Sequence, residues 1–311
     1  MNDRQKIFIL SIASALILFG FLLIRNQQAE APSKKVKIVA SFYPISYLAE
    51  MIGGERIEIK TLIKPGVEAH SWQPSANEII EASEADIIVY NGAGLDLWVE
   101  ENILPVVNTS SKTIVDTSKN AEIYANVDQK ETIEHGRYDP HTWLSPALAI
   151  QQAENIYKAL LRRDPEGSDY YASKWSQLKE TLQNLDNDYV NELTNRKRGT
   201  IFVTHDAFGY LARRYGFEQY SIVGLTADKE PGTENLANLI EIMKTKETYV
   251  FYLESGYSDA YVQTIRSELE SQTGKTVRIL KLYHMNGPVD GLDYLQQMKT
   301  NLVNLKAGLI E

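Results

Sequence analysis

Three histidines stand at the ends of apolar runs in three separate parts of a 311-residue chain that holds five histidines and no cysteine. His70 closes Ile63-Lys64-Pro65-Gly66-Val67-Glu68-Ala69-His70, His141 lies in Asp139-Pro140-His141-Thr142-Trp143, and His205 directly follows Ile201-Phe202-Val203-Thr204. Imidazoles placed at strand ends and in loops bent by proline or glycine are set to converge. Three neutral imidazoles suit a borderline metal such as zinc. Each histidine alone also has a bland reading: a loop residue for His70, a helix cap for His141, a hydrogen-bonded strand end for His205. The cap reading of His141 is weakened because Ser145 already offers an N-cap and Pro146 a first helical position.

Other residues join this set. His284, after Leu280-Lys281-Leu282-Tyr283, sits at another strand end and would complete a tetrahedral site. Glu254 follows an apolar run and would either donate an oxygen to the metal or hydrogen-bond a ligand imidazole, the second being favoured. Asp206 could cap the next helix or orient an imidazole. His135, in a polar stretch, reads as a solvated loop residue. Three histidines plus water is also a catalytic zinc arrangement, so a zinc hydrolase with Glu254 or Glu68 as base is a rival. Against it, the chain lacks a His-Glu-x-x-His helix motif. A surface adhesin with a purely structural metal is a third reading.

Regular βα alternation must position these residues. Strands are expected at residues 36–40, 57–63, 86–90 and 113–116, with helices at 45–52, 75–84 and 95–104 between them. An amphipathic helix at 146–163 and a longer one at 169–195, with apolar Trp175, Leu178, Leu182, Leu185, Tyr189 and Leu193, form the middle. Alternation resumes with strands at 200–204, 220–223, 249–253 and 277–282 and helices at 208–215, 233–246, 260–271 and 292–309. The expected fold is α/β: two four-stranded parallel-sheet lobes joined by a long rigid helix. The expected bounds are residues 35–164 for the first lobe, 165–197 for the connecting helix and 198–311 for the second lobe.

Net charge is −9 and 23% of residues are charged, ordinary for a globular protein but unsuited to nucleic acid or to polybasic membrane binding. The start, Met1-Asn2-Asp3-Arg4-Gln5-Lys6, precedes an apolar run from Ile7 to Ile24. Residues 1–34 are therefore expected to be a signal peptide or N-terminal membrane anchor plus linker, with Ala29-Glu30-Ala31 as a cleavage site. No cysteine follows for a lipid anchor. Export to the periplasm or cell surface is the expectation.

The segments Ser41-Phe42-Tyr43-Pro44, Gly53-Gly54 and Pro65-Gly66-Val67-Glu68-Ala69-His70-Ser71-Trp72-Gln73-Pro74-Ser75 are joined by Ala85-Asp86-Ile87-Ile88-Val89-Tyr90-Asn91-Gly92 and Asp139-Pro140-His141-Thr142-Trp143-Leu144-Ser145-Pro146. Thr204-His205-Asp206-Ala207-Phe208-Gly209-Tyr210 and Phe251-Tyr252-Leu253-Glu254-Ser255 complete the series. Together, over residues 35–311, they resemble the metal-binding solute-binding proteins of zinc and manganese ABC importers, the cluster A-I family. The resemblance implies one metal between two α/β lobes, delivered to a membrane ABC permease without chemistry on a substrate; separately, a monomer is expected. It assigns ligands to His70, His141 and His205. Histidine at His205 is similar to zinc-type members, where manganese-type members carry glutamate. The fourth family ligand is usually a carboxylate after the last strand. Here that stretch reads Leu282-Tyr283-His284-Met285-Asn286-Gly287, so His284 is the first choice, with Glu254 or water as alternatives. The His-rich loop of many zinc-type members is reduced here, at residues 119–138, to His135. Zinc is the expected cargo and manganese the alternative.

Overall fold

The computed structural model describes residues 34–125, 138–224, 232–254 and 257–311. The N-terminal segment and His135 lie outside the described residues.

Two all-parallel sheets carry the fold. The first comprises β1 (Val36–Ala40), β2 (Ile57–Thr61), β3 (Ile87–Tyr90) and β4 (Thr113–Asp116), in the order β2-β1-β3-β4. The second comprises β5 (Thr200–His205), β6 (Glu218–Val223), β7 (Val250–Glu254) and β8 (Arg278–Leu282), in the order β6-β5-β7-β8. Sequence explains which strands are central. β3 (IIVY) and β5 (TIFVTH) are buried along their whole length, whereas β2 (IEIKT) alternates and lies at an edge. Strands covered on both faces read as continuous apolar runs, and half-covered ones alternate. Each sheet reverses its winding beside its first strand, which creates a crevice at the carboxyl ends of the strands.

Eight α-helices of seven residues or more cover the sheets among the described residues: α1 (Tyr43–Gly53), α2 (Ala76–Glu84), α3 (Pro146–Arg163), α4 (Ser168–Leu193), α5 (Gly209–Tyr215), α6 (Thr233–Thr245), α7 (Ala260–Thr273) and α8 (Tyr294–Leu309). Local chemistry sets their ends. Ser75 and Glu78 form a capping box on α2, Asp293 and Gln296 another on α8, and Gly216 takes a left-handed conformation (φ 75°) that closes α5. Pro146 opens α3 after Ser145, but the Ser145 side chain makes no cap hydrogen bond. The helix expected at 95–104 begins only at Leu97 and widens into a π-helix over Val99–Ile103, closed by Leu104 N–H donating to Val99 O at 2.9 Å. The reason lies upstream: the Asp96 carboxylate accepts the Asn91 and Gly92 N–H groups at 2.7 and 2.9 Å, while Ala93 (φ 53°) and Gly94 (φ 91°) are left-handed. A regular helix cannot begin until that turn is complete.

Helix α4 has 26 residues, about 39 Å at 1.5 Å per residue. Its buried stripe, Tyr171, Leu178, Leu182, Leu185, Tyr189 and Leu193, packs on α1 and α3 from the first half and on α5 and α8 from the second. Polar ties reinforce the second half. The Tyr189 hydroxyl donates to Met298 O at 2.7 Å, and Asp186 accepts from Arg214 and from the Tyr215 hydroxyl at 2.7 Å. Leu182 is fully buried, so Leu182→Ala should cost about 2–5 kcal/mol of stability by loss of packing and creation of a cavity. Denaturant unfolding checks this, and metal stoichiometry should stay unchanged. No helix among the described residues is long and apolar enough to cross a membrane.

Candidate metal centre

Four histidines from different parts of the chain meet where the carboxyl ends of the two sheets face each other. His70 arrives on the loop after β2, and its backbone N–H donates to Glu68 Oε1 at 3.0 Å, which fixes the loop's last turn. His141 is carried by the loop before α3. Asn91 Nδ2 donates to Pro140 O at 2.9 Å, and buried Gln152 Nε2 donates to Asn91 Oδ1 at 2.9 Å, so the end of β3 and α3 both clamp that loop. His205 is the last residue of β5, and His284 follows β8.

His141 is the hub. Its Nε2 lies 3.2 Å from His70 Nε2 and 3.2 Å from His205 Nε2. Four nitrogens around a tetrahedral zinc, each at its normal bond length, stand about 3.3 Å apart. Ligand atoms of His70, His141 and His205 all fall within 4.8 Å of one another, as do those of His205, Glu254 and His284. The His284 ring lies 4.7 Å from His205 and 5.7 Å from His141, centroid to centroid. His284 is 3% exposed, and its Nε2 is buried without a hydrogen-bond partner. A buried polar atom in that state is costly; a cation among the other imidazoles would satisfy it.

Carboxylates hold the far sides of two rings. Asp139 Oδ1 lies 2.9 Å from His141 Nδ1 and also accepts the His141 backbone N–H at 3.0 Å. Glu254 Oε2 lies 2.6 Å from His205 Nδ1, and Oε1 accepts the His205 N–H at 2.8 Å. An Nδ1–H directed at each carboxylate would leave the Nε2 lone pair facing inward, the usual outer support of a metal-bound histidine. Glu254 spends both oxygens on His205 and so serves as its brace. Asp206 accepts from the Gln219 side-chain amide. The sequence reading assigned Asp139 no role. Its signal was its place two residues before His141, where a carboxylate can reach back to the ring.

Electrostatics follow from burial. Desolvation, with the other imidazoles adding to it, pushes His141 well below the ordinary histidine range, and desolvation does the same to His284. Burial alone would also depress His205, but the facing Glu254 carboxylate and its hydrogen bond outweigh it and hold His205 above its ordinary value. Burial pushes Asp139 up to about 8, against the lowering effect of the His141 N–H. Removing the brace, Glu254→Ala, should weaken metal binding about 10–100-fold, measured by chelator competition at pH 7.5.

A profile described as ZnuA, zinc-uptake complex component A periplasmic, matches residues 38–308. The chain belongs to that family. Within this zinc-uptake component A family, it is 30% identical over 308 residues to the high-affinity zinc uptake system protein ZnuA of Bacillus subtilis, covering 96% of each. It is 30% identical to the zinc-binding lipoprotein AdcA of Streptococcus pneumoniae, of which it spans 60% while 97% of this chain is matched. Among solved structures, the metal-dependent lipoprotein YcdH from Bacillus subtilis aligns with a TM-score of 0.76 at 30% identity, over 89% of this chain and all of that one (100%). A member of the zinc-uptake component A family is a substrate-binding receptor of an ABC uptake system and not an enzyme, which removes the hydrolase reading. The same membership makes the chain an exported, surface-associated protein that binds a divalent metal.

Proposed function

We propose that the chain captures zinc between its two lobes, through His70, His141, His205 and His284, and hands it to a membrane ABC permease. The observation that carries this reading is the pair of 3.2 Å Nε2···Nε2 separations centred on His141, close to the edge of a tetrahedral zinc shell. Asp139 and Glu254 orient His141 and His205, and Glu68 holds the His70 loop. Four neutral nitrogens favour zinc over manganese, which prefers carboxylate, carbonyl and water oxygens. The zinc-uptake and zinc-binding relatives support the same cargo. Lobes spanning residues 35–164 and 198–311, joined by 165–197, would close on the ion. The apolar segment of residues 1–34 would export the protein or anchor it at the membrane surface, where it acts as a monomer.

The test is competition between zinc and manganese for the purified protein, with metal content per chain. One tightly held zinc that excess manganese does not displace is expected. A preference for manganese would overturn the four-nitrogen site.

A further inference from the structure

Trp143 joins the two halves of the site. It follows His141 by two residues, is fully buried, and its indole Nε1–H donates to the backbone carbonyl of His284 at 3.0 Å. Its ring lies 5.2 Å from the His141 ring and 5.7 Å from the His284 ring, and the edge of Phe42 backs it at 4.9 Å. The Tyr294 hydroxyl, from α8, donates to the Trp143 carbonyl. The indole is thus seated on both sides and has one polar atom, which it spends on His284.

His284 needs such a tie. Met285, the next residue, is non-glycine and left-handed (φ 64°), a conformation that persists only where surroundings enforce it. Met285 is itself fully buried in the core, and specific hydrogen bonds hold the residues on either side. Asn301 grips Tyr283 at both its N–H (2.7 Å) and its carbonyl (2.9 Å), and Gly66 N–H donates to Asn286 O at 3.2 Å. Between those two anchors, the indole bond is the one that lands on His284 itself.

We propose that Trp143 is the positioning residue that aims His284 at the metal, so that the indole N–H decides whether the shell closes with a fourth nitrogen. The proposal rests on the four-histidine reading above. Without the bond, the His284 loop is free to retreat and the site becomes a three-histidine site completed by water.

The test is a double-mutant cycle with Trp143→Phe and His284→Ala, read by zinc competition and by the visible d–d bands of the cobalt-loaded protein. Trp143→Phe should lose about 10–100-fold in zinc affinity and shift the cobalt spectrum toward that of His284→Ala. In the His284→Ala background it should have no further effect, because the two changes act through one contact. An equal loss in both backgrounds, or no loss in either, overturns the proposal. Should Trp143→Phe fail to fold, the wild-type protein still decides. The Trp143 indole proton should exchange slowly and its resonance should move on zinc addition; exchange like that of an exposed indole overturns the proposal. A wild-type cobalt spectrum lacking tetrahedral character, or His284→Ala binding zinc at full strength, would instead sink the four-histidine reading on which the proposal stands.

Discussion

Replacing His141 by alanine should lower zinc affinity about 10²–10³-fold, measured by chelator competition, with the metal-free fold retained. Four-ligand structural zinc sites release roughly 10–16 kcal/mol. A quarter of that is about 2.5–4 kcal/mol, and each 1.4 kcal/mol is tenfold. His141 is the appropriate choice because its Nε2 stands 3.2 Å from the Nε2 atoms of both His70 and His205 and its ring neighbours His284 at 5.7 Å. His205 also neighbours the other three histidines but is tied, through both its backbone N–H and its ring, to Glu254, whose carboxylate falls within ligand distance of His205 and His284, so His141 is the cleaner probe. The loss should exceed that of Glu254→Ala, which removes a brace and leaves the ligand. His135→Ala, outside the described residues, should stay within about twofold of wild type, as a solvated loop residue would. Equal losses at His141 and His135 would mean that the metal sits elsewhere.

The second large effect is on pH. Metal binding needs each Nε2 lone pair free. In the metal-free protein the Asp139–His141 couple keeps an extra proton up to about pH 8, because burial favours the neutral carboxyl. His205, held above its ordinary value beside Glu254, takes up a second proton more readily than a free imidazole as pH falls. His141 and His284 themselves, pushed far down, compete little near neutrality. Zinc must therefore expel one proton just below pH 8 and approach two as His205 also becomes protonated. Each expelled proton costs about tenfold in affinity per pH unit. From pH 7.5 to 5.5 the affinity should fall at least about 100-fold, and proton release per zinc should rise over the same range. Affinity that stays flat from pH 7.5 to 5 contradicts this picture of the braced imidazoles.

Much of the fold was legible because the pattern is strong. Short, β-branched apolar runs such as Ile201-Phe202-Val203 read as central strands of a covered sheet. The stripe from Leu178 to Leu193 repeats at helical spacing and does bury between helices of both halves. The helix of segment 95–104 runs wide and starts late, the late start being set by the Asp96 carboxylate, a contact across the turn that no periodicity reveals. At the site, His205 and His284 stood out at strand ends and His70 and His141 in loops bent by proline or glycine, and the fold brings all four together. Asp139 did not, since its effect depends on the loop curling so that its carboxylate meets the ring two residues on. Trp143 was visible as part of the Asp139-Pro140-His141-Thr142-Trp143 segment. Its bond to His284, 141 residues away in sequence, belongs to the tertiary fold alone.

The most direct test of the central claim is X-ray absorption at the zinc edge of the zinc-loaded protein. Four nitrogen neighbours at about 2.0 Å, all with the outer-ring scattering of imidazole, are predicted. A shell containing oxygen, or fewer than four imidazoles, would contradict the four-histidine centre.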